Sequence, residues 1–173
     1  MKIYRKKIGP ISDEIINTLV RDEDIEIRGS LNNVVIRDIG GFIEEYVKAE
    51  HAITDAAKDL LDKKGLPLNN LNKLRTLLAE QKGVKLGDEA LESLADRIIR
   101  YFMNEDAIDE VYSDDAAMRK KIFDIFRRHL DVEDDIDREV RARLKNIPEN
   151  SLIFKIEYEK VLREVKRKRG LIS

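Results

Sequence analysis

Apolar residues recur along this chain at intervals of three and four. Val35, Ile39, Phe42, Tyr46, Ala49, Ile53, Ala57 and Leu61 are separated by 4, 3, 4, 3, 4, 4 and 4 residues. That is the spacing of one face of an α-helix, not of a strand. A displacement of 83 residues lays this row on Met118, Ile122, Ile125, His129, Val132, Ile136, Val140 and Leu144, with the same gaps. The same displacement lays Ile11-Ser12-Asp13-Glu14-Ile15-Ile16 on Leu94-Ala95-Asp96-Arg97-Ile98-Ile99. The pattern predicts two long amphipathic helices with matching roles, one from about Leu31 to Lys64 and one from Asp114 to about Lys145.

Shorter elements flank each long helix. Ile11, Ile15, Ile16 and Leu19 have helical spacing, and Pro10 suits the first turn of that helix because its missing N–H is unused there. Ile25 and Ile27 alternate with charged residues and read as a short extended connector. Gly29-Ser30 supplies a turn and a candidate N-cap. Gly40-Gly41 interrupts the first long helix at a cost of about 2 kcal/mol of helix propensity relative to alanine, which predicts a kink or a close helix contact. Phe123 and Asp124 take their places in the second copy. Gly65 and Pro67 end the first long helix, and a third helix carries Leu71, Leu74, Leu77 and Leu78 from an Asn69 or Asn70 cap to Gly83. In the second copy Asp88 is the expected cap of a helix with Leu91, Leu94, Ile98, Ile99 and Phe102. An acidic link from Glu105 to Asp109 follows, and Ser113 is the expected cap of the second long helix. Pro148 stops that helix. Ser151 or Asn150 starts a last one with Leu152, Ile156, Val161, Leu162 and Val165 on one side. The third helices do not align at the displacement of 83.

These elements predict an all-α protein of two tandem helical repeats, 1–83 and 84–173, each with one long amphipathic helix flanked by shorter ones. Units of this size bury a limited fraction of their surface, so the halves are expected to lean on each other.

Composition narrows the functional classes. The net charge is −2, with 14 basic and 14 acidic side chains in residues 1–83. A near-neutral chain has no general attraction to nucleic acid or anionic lipid, so such binding needs a local patch. Cysteine is absent, which removes disulfides, thiolate catalysis and cysteine zinc sites. No apolar run reaches the roughly 20 residues of a membrane span, and Met1-Lys2-Ile3-Tyr4-Arg5-Lys6-Lys7 is not followed by the apolar stretch of a secretory signal. A cytoplasmic location without membrane contact is the expectation. The single Gln, the lack of Trp and the surplus of Glu, Lys and Arg resemble thermophile usage.

Leu130 to Leu171 carries a family resemblance. It includes Glu133-Asp134-Asp135-Ile136-Asp137-Arg138-Glu139-Val140, the break Ile147-Pro148-Glu149-Asn150-Ser151, and the ending Tyr158-Glu159-Lys160 to Lys168-Arg169-Gly170-Leu171. Val84-Lys85-Leu86 and the helix to Phe102 match the opening of the same pattern. On these residues the second half resembles the bacterial family called domain of unknown function 507, and the internal repeat extends the resemblance over most of the chain as a tandem pair. The first half is the looser match, with Glu80-Gln81-Lys82-Gly83-Val84 in place of the basic Gly-Leu ending. The resemblance implies fold and bacterial origin; it implies no activity, ligand or catalytic residue.

Candidate chemistry is sparse. His51 and His129 have no metal-binding partner spacing; His129 replaces Tyr46 in the repeat and reads as a half-buried side chain with one hydrogen bond. Asp131, Glu133, Asp134, Asp135, Asp137 and Glu139 lack the glycine turn and placed glutamate of a calcium loop. They read as a solvated helix face with pairs Asp134–Arg138 and Asp137–Arg141. There is no phosphate-binding glycine motif and no nucleophilic serine elbow. The best surface candidate is the basic end Arg163, Lys166, Arg167, Lys168 and Arg169, with Lys2, Arg5, Lys6 and Lys7 as a second cluster. Such clusters bind phosphates, but cations in the last turn of a helix also complement its dipole. The sequence therefore points first to a non-enzymatic binding or scaffold module, without cofactor or metal, acting through protein contacts. RNA or DNA binding through the basic C-terminal helix end is the alternative.

Overall fold

The computed structural model describes residues 2–173. They form six α-helices and one two-stranded sheet: α1 (Arg5–Arg21), β1 (Ile25–Ile27), α2 (Asn32–Lys64), α3 (Leu71–Lys82), α4 (Asp88–Asn104), β2 (Ile108–Val111), α5 (Asp115–Arg143) and α6 (Leu152–Lys168). The protein is essentially all-α. None of the described helices is long and apolar enough to cross a membrane. Two compact units are present, one of residues 3–126 and the other of residues 127–173 with Lys2. The division falls inside the second long helix.

In the unit of residues 3–126, α1 packs against the first turns of α2. Ile11, Ile15, Ile16 and Leu19 of α1 are fully buried, as are Val35, Ile39 and Ile43 of α2. Pro10 is the sixth residue of α1, not a member of its first turn. The good helix formers Arg5, Lys6 and Lys7 start the helix upstream of it, so the proline removes one interior N–H. The inward face of α2 departs from the expected row at its centre. Phe42, Tyr46 and Ala49 are half-buried, while Ile43 and Val47 are buried. A residue four positions on lies about 40° further round the helix, so the row Val35, Ile39, Ile43, Val47 drifts as α2 passes from one neighbour to the next. Beyond it, Ile53, Ala57 and Leu61 are buried, and α3 packs on α2. Arg75 of α3 donates to Glu50 Oε1 at 2.6 Å and to Thr54 Oγ1 at 3.1 Å. Burial pushes the Tyr46 phenol up to about 12, with the Glu50 carboxylate adding to the effect.

The link after α4 is more ordered than expected. Residues 108–111 form β2, which pairs antiparallel with β1 through Ile25–Val111, Glu26–Glu110 and Ile27–Ile108, with one irregularity in register. The extended reading of Ile25 and Ile27 holds, and its counterpart in the second half is a strand as well. Asp24, almost wholly buried, anchors this region. Lys121 Nζ lies 2.7 Å from its carboxylate, the Ser113 hydroxyl donates to the same group, and the Tyr112 and Ser113 N–H groups donate to its backbone carbonyl. Ser113 is therefore occupied with Asp24 and does not cap α5. Asp114 does so, its Oδ1 accepting from the Ala117 N–H at 2.8 Å. Ser30 does not cap α2, whose N-cap is Leu31, and Asp88 is the first residue of α4, after Gly87. Each is a shift of one residue at a helix start, where local propensity discriminates least.

Gly40 and Gly41 lie in uninterrupted helix. A Cβ on Gly40 would meet Ser12 Oγ at 3.4 Å and Ile8 Cγ2 at 3.6 Å, whereas one on Gly41 would meet nothing within 4 Å. The expected close helix contact is thus at Gly40, against α1. Gly41→Ala should raise stability by about 1 kcal/mol, because it removes unfolded-chain entropy without a clash. Gly40→Ala should raise it less. Urea unfolding of the two variants checks this order; a loss of stability in Gly41→Ala contradicts it.

Candidate interaction surface

The unit of residues 127–173 is built on the C-terminal stretch of α5 and on α6. Its core is Ile136, Val140 and Leu144, from α5 and the turn that follows it, with Phe154 and Val165 from α6, supplemented by Ile147, Tyr158, Val161 and Leu162. The second long stripe is inward-facing along most of its length: Met118, Ile122, Ile125, Ile136, Val140 and Leu144 are buried and His129 is half-buried. Val132 is the exception. It is exposed, and Leu130 and Glu133 are buried beside it in sequence. The break between α5 and α6 holds Pro148, and Ser151 caps α6 as expected, its Oγ accepting from the Phe154 N–H at 3.1 Å.

Polar contacts fix how α6 is turned. Tyr158 donates its hydroxyl to Asp137. Arg141 bonds Asp137 at 2.9 Å and Glu149 at 2.9 Å, and its guanidinium lies 5.9 Å from the Phe154 ring centroid and 5.8 Å from that of Tyr158. Near the far end of α6, Lys166 Nζ is 4.0 Å from the buried Glu133 carboxylate, and Arg169 is 2.7 Å from Glu139. The Arg169 hydrogen bond, opposed by desolvation and joined by Arg143, holds the Glu139 carboxyl below the usual carboxylate range. The acidic row of α5 is therefore largely a set of ion-pair partners. Arg138 pairs with Asp135 at 3.2 Å, not with the expected Asp134, and the Asp137–Arg141 pair forms.

The basic end singled out in sequence is divided by this arrangement. Lys166 and Arg169 turn toward α5 carboxylates. Arg163, Arg167 and Lys168 are exposed. Of the N-terminal cations, Lys6 lies 5.5 Å from the Tyr4 ring centroid.

The outward side of α6 carries a feature that sequence reasoning missed. Leu152, Ile153 and Ile156 are 72%, 64% and 59% exposed. At 100° per residue they share an arc of about 100° with Lys160, Arg163 and Arg167, and no carboxylate falls within that arc. Glu159 borders it on one side; Glu157 and Glu164 border it on the other. The sequence expectation groups Leu152 and Ile156 with Val161, Leu162 and Val165 on one side. The structure corrects this: they lie on the opposite side, because Phe154 and Tyr158 take the inward positions. A signal for the correct phase is present in the spacing, since Phe154, Tyr158, Val161 and Val165 follow gaps of 4, 3 and 4.

Two clefts mark the surface of the other unit. One, of about 550 Å³, is lined by Leu66, Lys73, Leu74, Leu77 and Glu80 of the α3 region. The other, of about 790 Å³, lies beside β1 and is lined by Val20, Glu23, Ile25, Glu26 and Tyr112. Glu23, at the left-handed φ of 59°, closes α1 next to it. Among the described residues no group of three or more His, Asp or Glu side chains is placed to hold a metal ion.

Fold and surface together define a small helical protein whose distinctive exterior is an apolar and cationic helix face. The chain belongs to the family described as protein of unknown function, DUF507, whose model matches residues 1–171. No curated protein matches it.

The two sides of α6 should respond differently to substitution. Phe154→Ala should cost about 3 kcal/mol, since it opens a cavity in the α5–α6 core. Ile156→Asp should change stability by less than about 0.5 kcal/mol. Equilibrium unfolding of both variants checks the assignment, and a larger loss in Ile156→Asp contradicts it.

Proposed function

We propose that this protein is a non-enzymatic helical binding module of the bacterial cytoplasm, acting through protein–protein contacts. The observation that carries the reading is the solvent-facing side of α6, where three large apolar side chains stand clear of the core. Soluble chains keep contiguous apolar patches for interaction sites. The neighbouring Arg163 and Arg167 match the enrichment of arginine at interfaces. The lack of any nucleophile–base, phosphate-loop or metal-ligand motif in the sequence supports a binding role over a catalytic one.

A duplicated helical unit belongs to the same proposal. α4 begins and ends 83 residues after α1, and α5 begins 83 residues after α2. β1 and β2 occupy matching places and pair with each other. This correspondence supports a reading in which two like units are joined through equivalent connectors, as the halves of an isologous dimer would be. On this reading the two sequence repeats meet near 83/84, and the two long helices are counterparts of each other.

Contact with RNA or DNA is the second reading, and the outward placement of Arg163, Arg167 and Lys168 is its support. Lys166 and Arg169 add little to it, being engaged with Glu133 and Glu139.

A pull-down with the full chain from bacterial lysate, run beside a gel-shift assay with mixed RNA at low salt, tests both readings. The protein-contact reading predicts a specific protein retained above background and no shift of RNA. Retention of nothing sinks it. A salt-sensitive RNA shift, abolished by Arg163→Ala with Arg167→Ala and Lys168→Ala, establishes the alternative in its place.

A further inference from the structure

We infer that the outward face of α6 is a docking site for an acidic peptide segment that carries apolar anchors beside its carboxylates. This rests on the proposed binding function and names the chemistry of the partner. The face is ordered from end to end. Its first turns present Leu152, Ile153 and Ile156; the next three or so present Lys160, Arg163 and Arg167, so the whole strip runs about 22 Å.

Neither half is accounted for by the stability of the protein. The apolar residues are exposed and take no share in the α5–α6 core. Cations in a last turn offset the helix dipole, which covers Arg167 and Lys168. Lys160 and Arg163 lie upstream of that turn, so the dipole does not explain them.

Charge complementarity selects an anionic occupant, and the shape of the strip selects a narrow one. The flanking carboxylates Glu157, Glu159 and Glu164 stand on both sides of the arc. A bilayer surface or a nucleic-acid duplex laid on α6 would extend over these carboxylates as well as over Lys155 and Lys168, so it would gain less from the strip than a narrow partner does. A single peptide, helical or extended and roughly 10 Å wide, would fit between them. Its apolar side chains would cover Leu152, Ile153 and Ile156 and its carboxylates would meet Lys160, Arg163 and Arg167. The axial segregation of apolar and cationic residues also differs from a membrane-lying helix, which sets its cations on the face opposite its apolar stripe.

The test uses the full chain and fluorescence anisotropy at low salt. The probe is a labelled synthetic peptide with a leucine pair followed by glutamates at helical spacing. The controls are a scramble of the same composition and a version with lysines in place of the glutamates. The glutamate peptide should bind and both controls should not. Ile156→Asp should weaken binding at least about tenfold. Arg163→Glu with Arg167→Glu should weaken it similarly and confer binding of the lysine peptide. All three positions are exposed, so circular dichroism should be unchanged. The inference is overturned if the scramble binds equally, if the variants bind like the wild type, or if vesicles of phosphatidylglycerol or a single-stranded RNA bind this face while the peptide does not. It also fails, with the binding-module reading intact, if the partner retained from lysate is held equally by Ile156→Asp and by the double reversal.

Discussion

The rotational setting of α6 on α5 is the constraint on which the functional surface depends. Phe154 and Val165 are committed to the core by burial against Ile136, Val140 and Leu144. With both ends of α6 committed, every other side chain of the helix has its direction assigned. Burial supplies the driving force, at roughly 25 cal/mol per Å² of apolar surface removed from water. The Tyr158–Asp137 hydrogen bond fixes the direction of α6, and the Arg169–Glu139 pair contributes direction more than energy, because exposed ion pairs are worth little. What remains outside is a strip of three apolar and three cationic residues that the fold itself does not use.

The same logic explains the fate of the basic C-terminal end. In sequence Arg163, Lys166, Arg167, Lys168 and Arg169 form one cluster. On a helix, Lys166 and Arg169 are three apart and share the side toward α5, where Glu133 and Glu139 receive them. The acidic row of α5 and these cations of α6 thus belong to one set of ion pairs. Lys160 and Arg163 lie four and seven residues after Ile156, which keeps them in phase with the outward strip. Helical phase, not cluster size, decides which cations face a partner.

Much of the fold was legible from the period of apolar residues. Long helices, the C-terminal stops at Gly65 and Gly83, the close contact at Gly40 and the Ser151 cap all follow from local rules of spacing, glycine and capping. What the sequence did not reveal depended on non-local partners. Ser113 has the side chain of an N-cap, but a buried Asp24 from 89 positions away claims its hydroxyl. Residues 108–111 are too few to be read as a strand until Ile25–Ile27 is known to lie beside them. In α6, Leu152 and Ile156 are as apolar as the inward residues, and only the row Phe154, Tyr158, Val161 and Val165, with gaps of 4, 3 and 4, keeps a single helical phase. Packing against α5 agrees with that phase, burying Phe154 and Val165.

The setting of α6 can be measured directly because the natural chain has no cysteine. Single cysteines placed in turn at positions 152 to 167, with the rate of thiol modification recorded for each folded variant, report the exposure of every position. The account predicts a helical oscillation, fast at 152, 153, 156, 160, 163 and 167 and slow at 154, 158, 161 and 165. Uniform rates, or maxima at 154, 158, 161 and 165, would contradict it.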